Sequence, residues 1–209
     1  SAQQHGSVYL NESFDAALQL SGAKVDANVV DICFYKAAAE YAQGNLKEAI
    51  AVYDSIVDYD ETDYRPCFLR GSVYMNAGER EKAIKDYEEA VKRAGSNYEL
   101  YILISQNLKA SGMEDEGDNF LDEALALEGK SGEDYLGKGR IYLEQGDYKQ
   151  AIEYLQTAVE KKAADAKVYL AETYEASGDS DSASKLLAEY VKEEKPSAEA
   201  LALLGNMEI

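Results

Sequence analysis

The 209-residue chain has no tryptophan, two prolines, two cysteines and one histidine. So few prolines argue against a turn-rich β fold, and the many alanines, leucines, glutamates and lysines favour helices. Two cysteines, Cys33 and Cys67, cannot make a disulfide framework. Both stand among apolar helical residues, where cysteine behaves as a small hydrophobe. A lone histidine, His5, excludes a zinc site of the HExxH type. A Ser-His-Asp triad would have to use His5, and no nucleophile elbow accompanies it. No run approaches the roughly eighteen apolar residues that a membrane-spanning helix needs. Positive charge is scarce as well: 21 basic side chains against 40 acidic ones give a net charge of −19. That field repels phosphate backbones and anionic headgroups, so neither nucleic-acid binding nor direct membrane insertion is expected. Basic partners are permitted.

What the chain does have is apolar content and a period. Hydrophobic residues make up 46% of it and charged ones 29%, enough apolar surface for a folded core. Gly44, Gly78, Gly112, Gly146 and Gly178 follow one another at 34, 34, 34 and 32 residues. They lie in the related stretches AQGNLKEA, NAGEREKA, ASGMEDEG, EQGDYKQA and ASGDSDSA. A glycine and a polar residue between two amphipathic runs mark a helix C-terminus and a tight turn. Seven positions before each turn glycine stands a small residue: Ala37, Gly71, Ser105, Gly139 or Ala171. Five positions after it stand Ala49, Ala83, Gly117, Ala151 and Ala183, and nine after it Tyr53, Tyr87, Leu121, Leu155 and Leu187. Small residues let two helices approach, and large ones fill the space beside the contact. Tyr74, Tyr87, Tyr142 and Tyr174 are therefore expected in the core.

This pattern resembles the tetratricopeptide repeat. The copy Tyr64–Asn97 carries Gly71, Tyr74, Gly78, Ala83, Tyr87 and Ala90, and the copy from Gly132 carries Tyr135, Gly139, Tyr142, Gly146, Ala151 and Ala158. The resemblance implies an all-α fold, a right-handed superhelical solenoid of antiparallel helix pairs (an α-α superhelix), because single copies cannot bury their apolar faces alone. One array is expected over residues 1–209, with repeats at 30–63, 64–97, 98–131, 132–163 and 164–197. Residues 1–29 read as a degenerate N-terminal repeat, since Gly6–Asn11 nearly repeats Gly71–Asn76. Residues 198–209 read as a C-terminal capping helix.

Apparent catalytic or ligand motifs dissolve into this frame. Gly129-Lys130-Ser131 mimics the end of a phosphate loop, yet Ala124 stands where that loop needs a glycine. The acidic runs 114–118 and 179–181 lack the ligand alternation of a calcium loop and fall where acids favour a helix start. No catalytic residue, metal or cofactor is expected, and the chain reads as a non-enzyme.

Family resemblance implies that a partner's peptide or helix lies in a concave groove lined by the first helix of each repeat. The lining stripe, at i, i+3, i+7 and i+10, gives Asp31, Phe34, Ala38 and Tyr41, then Arg65, Phe68, Ser72 and Met75. It continues with Glu99, Ile102, Gln106 and Lys109, with Glu133, Leu136, Arg140 and Leu143, and with Asp165, Val168, Glu172 and Glu175. The groove is thus aromatic in its N-terminal copies and charged in its C-terminal ones. The carboxylate clamp of chaperone-binding relatives is missing, because Phe34, Ala38, Leu69, Glu99 and Leu103 occupy its slots. Recognition of a protein or peptide segment through apolar anchors such as Phe34, Tyr41, Phe68 and Met75, inside a polar rim, is expected. An alternative for the aromatic patch is cover by residues 1–29. The function implied is a non-catalytic protein–protein interaction scaffold. Two alternatives stand beside it: a structural part of a bacterial cell-envelope assembly, as the exported portion of a lipoprotein, or an accessory or sensing domain of a larger protein. Ser1 in place of methionine suits removal of an export signal, and two core-type thiols suit a reducing compartment, so localisation stays open between the cytoplasm and a lipid-anchored cell surface.

Overall fold

The computed structural model describes residues 27–193. The shortened repeat before them, with His5, and the capping helix expected at 198–209 lie outside the described residues. Among the described residues there are ten helices and no strand: α1 (Ala27–Ala42), α2 (Leu46–Asp54), α3 (Arg65–Asn76), α4 (Arg80–Ala94), α5 (Tyr98–Ala110), α6 (Glu114–Leu125), α7 (Gly132–Glu144), α8 (Tyr148–Glu160), α9 (Ala166–Ala176) and α10 (Ser180–Glu193). The fold is all-α, as the repeat requires.

Within each helix pair the link is the same. All five turn glycines have positive φ, between +74° and +87°. At the second pair of helices, for example, the Gly78 N–H donates to the Met75 carbonyl at 3.0 Å and the Glu79 N–H to the Tyr74 carbonyl at 2.9 Å. The same two bonds close the turns at Gly44, Gly112, Gly146 and Gly178. This is the Schellman closure, in which two orphan carbonyls of the first helix are satisfied and the chain reverses. Between pairs the ends are individual. Ser131 caps α7 through a capping box with Asp134, so the phosphate-loop mimic is the entrance to a helix. Glu114, Asp115 and Glu116 occupy the first turn of α6, where the helix dipole favours carboxylates. Helix α2 is the shortest, and Ser55 ends it: its hydroxyl donates to the Val52 carbonyl at 2.6 Å and the turn tightens into i→i+3 bonds.

The described residues form two compact units: 27–97 with 107–113, and 98–106 with 114–193. In the first, α1, α2 and α3 close over Cys33, Ala37, Ala49, Val52, Tyr53, Ile56 and Val73. Both cysteines are free and fully buried. At Gly71 α3 lies tight against α4: a Cβ there would meet the Tyr87 ring at 2.8 Å. The Tyr87 ring is accordingly 0% exposed. A polar network reinforces the contact. Arg70 forks onto Asp86 at 2.6 and 2.7 Å and reaches Asp54 at 2.7 Å, tying α3 to α4 and α2. Arg93 of α4 donates to Glu89 and to the carbonyls of Val57 and Asp63, which fixes the long α2–α3 connection.

The second unit packs chiefly through apolar contacts and glycine slots. Leu136, Ala151, Leu155, Ala158, Ala166 and Leu170 join α7, α8 and α9, while Ala171, Ala183 and Leu187 join α9 to α10. Gly139 lets Leu155 lie against α7, a Cβ there being 2.6 Å from its Cγ. Gly137 leaves a hole that the Tyr98 ring fills, 2.2 Å from where a Cβ would be. The Tyr98 hydroxyl then bonds to Asp134 at 3.2 Å.

Of the four tyrosines expected in the core, only Tyr87 is fully buried. Tyr74, Tyr142 and Tyr174 are half-buried. They stand at the rim of the helix pair, where the ring packs and the hydroxyl stays at the surface. Tyr142 lies 5.2 Å from the Tyr154 ring, Lys82 sits over Tyr74 at 5.2 Å, and the Tyr174 hydroxyl accepts from Gln156 at 3.0 Å.

Candidate functional site

The stripe positions of the first unit lie on α1 and α3 and form a shallow aromatic face. Phe34 and Phe68 are half-buried, each with its ring backed by a tyrosine of the second helix: Phe34 is 6.3 Å from Tyr53 and Phe68 is 6.0 Å from Tyr87. Each keeps part of its surface accessible. Arg65 lies over the Phe34 ring at 4.9 Å and is held there by a fork onto Asp63. That fork raises the guanidinium pKa further, and the arginine lowers that of Asp63. The Arg65 side chain stays 57% exposed. Ala38 is exposed and Tyr41 is 40% exposed. Met75, expected as an anchor, is buried. It lies one position from the end of α3 and is buried there, so it serves the core more than the surface.

A polar line that the stripe rule misses runs along the same face. Asn76 donates to the Tyr41 hydroxyl at 2.7 Å and to the Ser72 carbonyl at 2.9 Å. The Ser72 hydroxyl accepts from Tyr87 and from Asn107, both at 3.3 Å, while donating to the Phe68 carbonyl. Asn76 and Asn107 escape an i, i+3, i+7, i+10 pattern because each sits beside the stripe. Lys109, the last stripe member here, is half-buried.

The second unit presents charge. Its stripe leucine Leu136 and isoleucine Ile102 are buried, and Leu143 is half-buried and packed in the core. What remains at the surface is polar. Arg140 is paired with Glu99 at 2.5 Å and stacks on the Tyr169 ring at 4.5 Å. Gln106 donates to Glu144 at 3.2 Å. Glu172 is half-buried, and burial pushes its carboxyl pKa up; Arg140 opposes the shift and Glu144 adds to it. Glu133 accepts from the Ala164 N–H and Glu175 from the Ser180 hydroxyl. Asp165 adopts a left-handed φ of 58° at the start of α9, where Tyr190 donates to its carboxylate at 3.1 Å. Tyr169 was not a stripe position, and Arg140 and Glu99 are 41 residues apart, so this grouping is invisible to local spacing.

A family model described as tetratricopeptide repeat matches residues 64–97, and a second with the same description matches 142–207. Among solved structures, a tetratricopeptide repeat protein from Parabacteroides merdae is similar, with a TM-score of 0.56 and 20% identity, covering 98% of this chain and 80% of that one. BtubC from P. vanneervenii is similar over 100% of this chain and 94% of its own, with a TM-score of 0.57 and 17% identity. These likenesses concern the fold. A curated human protein, the protein O-mannosyl-transferase TMTC1, is 29% identical over 98 residues, which are 47% of this chain and 11% of that protein. The chain thus matches about a tenth of that relative's length.

Proposed function

Because the chain belongs to the tetratricopeptide repeat family, we propose that it is a non-catalytic protein-interaction scaffold whose first-helix faces hold a peptide or helix of a partner. Tetratricopeptide repeats are protein-interaction modules. The observation that carries the finer reading is the half-open aromatic face of α1 and α3. Phe34 and Phe68 are fixed from behind by buried tyrosines, and Tyr41, Ala38 and Arg65 remain accessible beside them. Rigid rings with their rotamers already fixed cost little entropy on binding, which suits them as anchors. Asn76 and Ser72 supply the polar rim. In the second unit the corresponding face offers Arg140, Gln106 and carboxylates, with Ile102, Leu136 and Leu143 as the packing beneath it.

A second reading, an accessory interaction region of a larger protein, is favoured by the human relative, in which the matched stretch is 11% of the whole. The mass of the native protein in its source cells separates the two readings.

The test is selection of a displayed random peptide library on the full chain, followed by affinity measurements on the variant Tyr41→Ala/Arg65→Ala. Convergent peptides that bind the wild type and lose more than about tenfold (about 1.4 kcal/mol) on the variant support the reading. Both proteins must melt alike. Peptides insensitive to this variant and to Glu99→Gln/Arg140→Gln would remove the first-helix faces as the site.

A further inference from the structure

An arginine lies across an aromatic ring in each unit, and the two are held differently. In the first, Arg65 of α3 lies over Phe34 of α1, and its carboxylate partner is Asp63, two residues away in the chain. That local fork leaves the Arg65 side chain 57% exposed. In the second, Arg140 of α7 stacks on Tyr169 of α9 at 4.5 Å and bonds to Glu99 of α5 at 2.5 Å. One side chain thus ties three successive first helices, and it is only 24% exposed. The Glu172 carboxylate, one turn along α9 from Tyr169, feels the same guanidinium. Neighbouring polar groups are committed as well: Gln106 donates to Glu144, and Glu133 accepts from the Ala164 N–H. Ile102 and Leu136 of the same stripe are buried.

We infer that Arg140 is a built-in occupant that closes the first-helix face of the second unit to partner segments. The inference rests on the proposed function and leaves recognition to the face of α1 and α3. A guanidinium recognises carboxylates at its edge and rings on its plane, and Arg140 has both modes filled from within the chain. An entering segment has to replace both. The group best fitted to do so is a partner's own arginine, and it meets a concentration barrier. A tethered side chain acts at an effective concentration of about millimolar or more, so a segment at micromolar concentration competes at a disadvantage of about a thousandfold. A half-open pair of this kind adds little to stability. Its consequence is therefore occupancy, and that can be measured apart from folding.

The test empties the seat in the full chain with Arg140→Ala and titrates ethylguanidinium, followed by NMR. The variant is expected to bind ethylguanidinium at least about tenfold tighter than the wild type, and adding Glu99→Gln should remove the gain. Ethylammonium, of equal charge, should gain less, because it has no plane to stack. Arg140→Ser is a second opening variant, and melting temperatures verify folding of each. Peptides selected from a library on the wild type should keep their affinity on Glu99→Gln/Arg140→Gln, which leaves the net charge unchanged. Selected peptides that lose about tenfold on that variant would show the face in use with Arg140 in place and overturn the inference. Ethylguanidinium binding equally to the wild type and to Arg140→Ala would overturn it too. If the emptied seat takes ethylguanidinium while no peptide binds either face, the closure stands and the proposed function falls.

Discussion

The two compact units are built from the same helix pair and hold it together by different means. In the first, guanidinium groups bridge the helices: Arg70 joins Asp86 and Asp54, and Arg93 gathers carbonyls of the α2–α3 connection. In the second, the Arg140–Glu99 bridge is half-open, and glycine slots are more prominent, with Tyr98 seated against Gly137 and Leu155 against Gly139, as Tyr87 is against Gly71 in the first. The faces differ in step, aromatic over α1 and α3 and carboxylate-rich over α7 and α9. The lesson is that the repeat pattern dictates backbone and turn, while positions outside it decide both the internal fastening and what the surface can grip.

Breaking the fastening should expose the contrast most strongly. Arg70→Met strands the Asp86 carboxylate, 7% exposed, and is expected to cost about 3–5 kcal/mol in urea unfolding. The formally similar Arg140→Met in the second unit removes a half-open pair and should cost less than about 1 kcal/mol. Equal effects would erase the distinction. Tyr87→Ala, at a fully buried ring, is expected to lose about 3–5 kcal/mol. Gly137→Ala should cost about 1–3 kcal/mol, because the added methyl meets the Tyr98 ring near its Cβ and Cγ rather than at a flexible end. Tyr142→Ala, at a half-buried rim position, should cost about 1–2 kcal/mol, well short of Tyr87→Ala.

A pH series sharpens the comparison further. Burial pushes Tyr53 of the first unit, and Tyr98 and Tyr101 of the second, up to about 12. A phenol whose folded pKa is raised lends its full stability below the unfolded value of 10 and loses it as pH rises toward 12. Alkaline unfolding should therefore set in above pH 10. Tyr53→Phe should blunt it through the first unit and Tyr98→Phe through the second, as followed by circular dichroism. An alkaline midpoint unmoved by either substitution would mean that these phenols titrate normally.

Much of this was legible in the sequence and some was not, for identifiable reasons. The turn glycines, the small slots at Gly71 and Gly139 and the burial of Tyr87 follow from periodicity, because each is a local or one-repeat relation. Tyr74, Tyr142 and Tyr174 share Tyr87's chemistry but stand at the rim, and a repeat pattern carries no measure of depth. Met75, Ile102 and Leu136 obey the stripe spacing and still turn inward, since a stripe one residue wide cannot tell the edge of a face from its centre. The Arg70–Asp86 fork spans 16 residues and the Arg140–Glu99 pair 41. Such pairings appear only when helices are placed against one another.

Around the missing Cβ of each turn glycine, Gly44, Gly78, Gly112, Gly146 and Gly178, there is nothing within 4 Å. Volume therefore does not select glycine at these turns; handedness does. An L-alanine there would carry a penalty of about 1–2 kcal/mol for its left-handed backbone. Its mirror image, D-alanine, prefers that very region and would gain about 0.4–1 kcal/mol by restricting the unfolded chain. In a semisynthetic chain the two enantiomers of one methyl group should thus shift the melting temperature in opposite directions. The five turns would become outward-facing attachment points at which a D-residue could carry a probe without disturbing the core.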